Sequence, residues 1–262
     1  RPRPSPEGTP WRLEADSDLI VQLHLQPTGR PEPIQASVGF FFTDEAPTRM
    51  PLGLCLGSET IDIPAGSAAY EIRDAYTLPV DALVLAVQPH AHNLGREVVA
   101  EAVLPDGTVT PVIDIRDWDF RWQDVYRFAS PPVLPKGSTI RMRFTYDNSA
   151  ANPRNPFNPP QRIVWGQNTT DEMGDLWMQF VPVRKDEAGV LAAAIGQKTR
   201  TEDIAAYTRV LQTDPKNPLR HDAVAMLYLQ DGNAQEAVRH FRESLRLNTR
   251  SEEHTSELQS PY

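Results

Sequence analysis

The chain has 262 residues and a formal net charge of −9. That length supports a substantial core and more than one domain, and the acidic balance argues against nucleic-acid binding. No stretch approaches the ~20 uninterrupted apolar residues of a membrane-spanning helix, and the single cysteine, Cys55, forms no intrachain disulfide, which by itself points to a reducing compartment.

Most prolines lie before residue 183, many of them between short apolar runs. This punctuation predicts an all-β region rich in turns. In chain order, Asp18 to His24 is an apolar run carrying one histidine; by its neighbours, His24 reads as a hydrogen-bonded, half-buried residue. Ala82 to Val87 is a short apolar strand bounded by Pro79 and Pro89. His90 and His92 follow at its end. Side chains alternate along a strand, so these imidazoles share a face roughly 7 Å apart, within reach of one metal ion. Val98–Leu104 and Val109–Ile115 flank Pro105-Asp106-Gly107 and read as a hairpin.

Trp118, Phe120 and Trp122 alternate with Asp117, Asp119 and Arg121, the pattern of a strand face packed on the core, with substrate stacking as the functional alternative. Ser138 to Asp147 alternates Ile140, Met142 and Phe144 against Arg141, Arg143 and Thr145, a half-buried strand. Asn148 to Pro160 has neither helix nor strand pattern and reads as a loop. Met173 precedes an apolar strand, Leu176 to Val183. A thioether combined with two imidazoles favours copper over zinc, calcium or magnesium, whereas filling a core gap is the ordinary use of methionine.

Taken together, His90-Ala91-His92-Asn93-Leu94-Gly95 and Thr169-Thr170-Asp171-Glu172-Met173 resemble the copper type II, ascorbate-dependent monooxygenases, the family of peptidylglycine α-hydroxylating and dopamine β-monooxygenases. The resemblance covers residues 15 to 183. It implies that His90, His92 and Met173 hold the copper that activates dioxygen. It also implies that His24 is one ligand of a second, electron-transferring copper, and that Ile63-Pro64-Ala65-Gly66 opens the family's second domain. Asp171 and Glu172 are expected to orient backbone rather than to ligate.

Departures from the family pattern are equally specific. No adjacent His-His pair occurs in the chain, Gly174 stands where the animal enzymes carry cysteine, and Asn93 stands where one of them carries a further histidine. Gln88 falls where the peptide-hydroxylating enzyme holds an arginine for the substrate carboxylate. An amide cannot replace that bidentate clamp, so a glycine-extended peptide is not the expected substrate. Trp177 lies where the resembling enzymes place an aromatic residue against substrate, although the burial usual for tryptophan assigns it to the core.

After about residue 184 alanine becomes frequent and the apolar period lengthens. Pro218 to Leu247 reads as two helices around Asp231-Gly232-Asn233, with Ala225, Tyr228, Gly232, Ala237 and Phe241 at tetratricopeptide-repeat spacings. Thr201 to Pro215 and Val190 to Lys198 are predicted as the two helices of a preceding repeat, Tyr207 lying 34 residues before Phe241. Arg250 to Ser260 resembles the in-frame translation of a sequencing-library adapter and is set aside.

The expected fold is therefore a mainly β antiparallel sandwich, jelly-roll-like, with a C-terminal α-helical repeat segment. The expected parts are residues 1–62 as the remnant of a first β copper domain, 63–184 as a second copper domain, 185–249 as tetratricopeptide-like helices and 250–262 as an adapter-like tail. By resemblance the chain is a truncated fragment, expected to be inactive alone, of a bacterial copper monooxygenase that hydroxylates a C–H bond of a small-molecule or peptide substrate. It would use dioxygen and ascorbate or another electron donor, with two copper ions in the intact protein and one here. This reading places the protein in the periplasm or outside the cell. The alternative is a non-catalytic copper-binding or protein-interaction module that meets a protein partner through its helices.

Overall fold

The computed structural model describes residues 8–21, 23, 25 and 28–257. The chain forms two compact units, Arg1–Pro51 and Leu52–Tyr262. The first has neither helix nor strand among its described residues. Thr48 and Arg49 there donate their N–H groups to the Gly8 carbonyl, each at 3.0 Å. The apolar run beginning at Asp18 forms no strand at residues 18–21: Ile20 is 89% exposed and no ladder partner is present among the described residues. His24 lies outside the described residues.

The second unit is mainly antiparallel β with helices at its C-terminal end. One sheet has the order β1 (Leu52–Gly57), β11 (Gly174–Pro182), β4 (Ala82–Ala91), β7 (Tyr126–Arg127), with β8 (Val133–Leu134) also pairing β4. The other has the order β3 (Tyr70–Thr77), β9 (Thr139–Tyr146), β5 (Gly95–Val103), β6 (Val109–Ile115). A short ladder joins β2 (Asp62–Ile63) to β10 (Ile163–Val164).

Both sheets feed one hydrophobic core. Leu54, Val87, Leu176, Met178 and Phe180 meet Ile72, Val98, Ile140, Met142 and Phe144 in a single cluster. Along β9 the predicted alternation holds, with apolar residues buried and Arg141 and Arg143 on the other face. There Arg143 reaches Glu71 at 3.1 Å and Glu97 at 3.3 Å across the neighbouring strands, pairs that add a few tenths of a kcal/mol, up to about 1, each. The β5–β6 hairpin turns at Gly107, whose φ of 87° suits a residue without Cβ, and Leu104 N–H closes it on the Thr108 carbonyl at 2.8 Å.

Three readings of the sequence need correction. Strand β4 does not stop before Pro89 but runs through it to Ala91. At Pro89 only β11 is paired, because β7 and β8 meet β4 at Ala86–Val87 and Ala82–Leu83. The missing proline N–H therefore interrupts no ladder. Residues 116–125 are a loop, and the three aromatics diverge: Trp118 is buried, Phe120 half-buried and Trp122 73% exposed. Their alternation lacked a partner strand to make it a face. Finally, Val190–Lys198 and Thr201–Pro215 are not two helices but one, α1 (Ala188–Thr213). No proline interrupts the run, so its hydrogen bonds continue through Lys198 to Thr201.

Leu191 and Ile195 of α1 complete the β core, and Lys198 Nζ reaches Asp74 of β3 at 2.8 Å. The predicted hairpin does form, from α2 (Pro218–Gln230) and α3 (Ala234–Glu257). Asn217 caps α2 by accepting the Arg220 N–H at 3.2 Å, and Gly232 takes φ 80° in the turn. No helix among the described residues is long and apolar enough to cross a membrane.

Candidate metal centre

The site stands at the end of the β4–β11 ladder, and a bulge determines which face it occupies. Ala82 and Val84 of β4 point into the core. Strict alternation would send His90 and His92 the same way. However, Gln179 pairs Ala86 while Phe180 pairs Val84, leaving Leu85 as an extra residue. Beyond it, Val87 and Ala91 face the core, and Gln88, His90 and His92 occupy the opposite face. Bulges re-aim side chains next to sites in this manner.

The two imidazole centres lie 5.1 Å apart with their planes at 82°. Ring centres of two histidines sharing an ion at ~2.0–2.1 Å lie roughly 4.5–5.5 Å apart. His92 Nδ1 is 3.0 Å from the Asp171 carbonyl. A carbonyl only accepts, so Nδ1 carries the proton and Nε2 keeps its lone pair for a ligand. Burial holds the His92 pKa below its usual value, with the neighbouring His90 adding to this and the Asp171 carbonyl opposing it. The ring is therefore neutral near pH 7, the form that binds metal. His90 Nδ1 lies 2.5 Å from Gln123 Oε1.

Glu172 ties the two distant segments together. Its side chain is fully buried. One oxygen accepts the N–H groups of His92 and of Met173, the latter at 2.9 Å, and the other accepts Leu94 N–H at 2.9 Å. Burial raises this carboxyl to about pKa 7 against the pull of those three donors. Its expected role in orienting backbone is thus what the contacts describe. Met173 is half-buried and directly precedes Gly174, which pairs Ala91 just before His92. The ladder therefore sets Met173 beside His92 at the strand ends.

Gly174 has a steric reason. A Cβ there would collide with Tyr146 Oη and Ile72 Cδ1, and that hydroxyl donates to the Met173 carbonyl at 3.0 Å. Asn93, by contrast, donates from Nδ2 to the Thr169 carbonyl at 3.0 Å, a further tie between the segments.

Gln88 pairs Trp177, and His90 pairs Asp175, so these four residues form two adjacent rows on the outer face. Trp177 is 50% exposed; the core position expected for it is not the one it takes. No group of three or more His, Cys, Asp or Glu among the described residues is placed to hold a metal. A ligand set at this place would need another donor type to complete the two histidines.

Sequence reading missed the loop that supports both rings. The Phe120 ring meets His92 edge-on at 5.5 Å, and Trp118 Nε1 donates to the His92 carbonyl at 3.2 Å. Gly95 makes room for Trp118, since a Cβ would come within 2.7 Å of its Cδ1. Arg154, from the loop predicted at 148–160, grips the Trp118 carbonyl and reaches Asp117 at 2.7 Å. The alternation of Trp118, Phe120 and Trp122 reads as a strand face and gives no sign of these contacts, because the partners lie far away along the chain.

An antiparallel β core that aims a histidine pair outward, cross-tied to a methionine segment, defines a protein with a candidate soft-metal centre. The comparisons give the family. The profile of the "Copper type II ascorbate-dependent monooxygenase, C-terminal domain" matches residues 58–194, and the chain belongs to that family. No curated protein matches the sequence. Solved structures with some likeness include that of infectious bursal disease virus Gx strain, at 8% identity and TM-score 0.29, covering 61% of this chain and 39% of that one. The Gt strain structure follows at 10% identity and TM-score 0.25, covering 60% and 44%. The chain thus spans less than half of either viral chain, and scores this low establish no common fold.

Proposed function

We propose that the chain carries the oxygen-activating copper site of a monooxygenase that hydroxylates a C–H bond with dioxygen and an ascorbate-like reductant. His90, His92 and Met173 would be the ligands. The observation that carries this reading is the histidine pair: two rings 5.1 Å apart, each with Nδ1 engaged by an oxygen, so that both Nε2 atoms remain for one ion. When bound, copper supplies one-electron redox chemistry and a position for dioxygen, and a thioether ligand favours the reduced ion.

The protein's own part is to hold and shape. Glu172 fixes the His92 and Met173 backbones against each other. The Gln88–Trp177 row offers an aromatic face and an amide to substrate beside His90. Lacking a guanidinium there, the site suits a small molecule or peptide without a carboxylate at that point. A second copper, with His24 among its ligands, belongs to this reading of the whole protein, as do a jelly-roll-like sandwich for residues 63–184 and a periplasmic or extracellular location.

The test is Cu(I) titration of the full chain under competition with a chromogenic chelator. One tightly held ion per chain is expected. His90→Ala and His92→Ala should each weaken binding by more than about 100-fold, beyond the ~10–100-fold lost with an outer hydrogen-bond partner, and Met173→Leu should weaken Cu(I) more than Cu(II). Wild-type affinity in both histidine variants would overturn the assignment. Oxygen uptake with ascorbate and candidate substrates then separates turnover from copper binding alone.

A further inference from the structure

We infer that Gln123 is the positioning residue that sets the tautomer of His90 and thereby presents its Nε2 to the metal. Toward copper this rests on the function proposed above; toward the ring it stands by itself.

The argument begins at the other end of the amide. Gln123 Nε2 lies 2.7 Å from the Phe120 carbonyl oxygen. A carbonyl oxygen can only accept, so the NH2 group must point there, and Oε1 must point at His90. Oε1 in turn can only accept, so His90 Nδ1, at 2.5 Å, must carry the proton. The remaining lone pair is then on Nε2. His92 receives the same instruction from the Asp171 carbonyl, at 3.0 Å, but from backbone, which no side-chain change abolishes. His90 has only a side chain to instruct it.

The same amide also braces the loop. The residue whose carbonyl it holds, Phe120, packs its ring on His92 at 5.5 Å. Gln123 therefore touches one imidazole directly and the support of the other at one remove. Neither a hydrocarbon nor a pure donor at this position could do both. A carboxylate would keep the acceptor for His90 and lose only the donor to Phe120.

The experiment uses the metal-free full chain with 15N-labelled histidine, at a pH well above the ordinary histidine value of about 6.5. Two-bond 15N–1H correlation spectra report which His90 nitrogen holds the proton. Wild type and Gln123→Glu should show the proton on Nδ1, and Gln123→Leu should move it toward Nε2 while leaving the His92 pattern in place. The preserved His92 signals also certify that the variant is folded. In Cu(I) competition, Gln123→Leu should bind ~10–100-fold more weakly, with Gln123→Glu restoring most of the loss. An unchanged Nδ1 proton in Gln123→Leu would overturn the inference, whatever the copper result. A shifted proton in a protein whose wild type takes up no copper would support the role of Gln123 toward the ring and overturn the proposed function instead.

Discussion

At the scale of single residues, Glu172 carries more of the local structure than any ligand candidate. A carboxylate with three backbone N–H donors is a clamp, and its removal leaves all three donors buried. Each unsatisfied buried donor costs about 1–3 kcal/mol. Glu172→Ala is thus expected to destabilise the fold by about 3 kcal/mol or more in chemical denaturation. Glu172→Gln should cost less, because its one remaining oxygen still serves His92 and Met173 while its NH2 group faces Leu94 N–H. A Glu172→Ala variant as stable as wild type would show that the clamp does not bind the two segments. Gly174 makes a related point. The cysteine that the animal enzymes carry at that place would strike Tyr146 and Ile72, so here the departure belongs to packing. Motif matching gave Glu172 a backbone-orienting role without its partners and gave Gly174 no reason, since those partners lie far along the chain.

At the scale of elements, the helical hairpin has its own polar lock. His221 and His240 are buried, with their Nδ1 atoms 2.9 Å apart. Arg239 donates to His240 Nε2 at 2.9 Å, and His221 Nε2 meets the Pro215 carbonyl at 3.1 Å. The chain of donors runs one way: guanidinium to His240, His240 to His221, His221 to carbonyl. Every ring nitrogen is satisfied only while both rings are neutral. His240 is held below its usual 6.5, first by burial, then by Arg239 and His221, with Glu236 opposing. The unfolded chain therefore takes up that proton first as pH falls. The His240 contribution to hairpin stability is complete above pH 6.5 and is lost progressively below it, until the folded ring's own lower pKa is reached. Thermal melts followed at the helical circular-dichroism band should show this acid loss, and His240→Gln should flatten it. A melt insensitive to pH across that window would count against the lock. The expected repeat pair reduces to this single hairpin, because α1 runs unbroken through the predicted turn.

At the scale of the molecule, the two sheets share one core, and α1 is fastened to it by Leu191, Ile195 and a partly buried ion pair. Lys198 and Asp74 are only 13% and 17% exposed, so their contact is screened less than a surface pair. Lys198→Ala strips Asp74 of its cation. The expected cost is about 2 kcal/mol, below the ~3–5 kcal/mol of a fully buried pair. A double-mutant cycle with Asp74→Ala should return most of it as coupling. A coupling near zero would mean that α1 is held by its apolar contacts alone.

By itself the sequence determined the long strands β4, β5, β6, β9 and β11, the turns at Gly107 and Gly232, and the family. A strand with one face in the core must alternate, and the two family motifs are local runs of residues. Only the tertiary structure decided where those motifs point. Strict counting along β4 sends both histidines into the core, and the one extra residue, Leu85, turns them outward. That insertion has no signature in the run Ala82 to Val87, because a bulge exists only relative to the strand it pairs with. The support of the rings by Gln123, Phe120 and Trp118 was hidden for the same reason: hydrogen bonds across 26 to 33 positions of chain arise from packing and leave no local pattern.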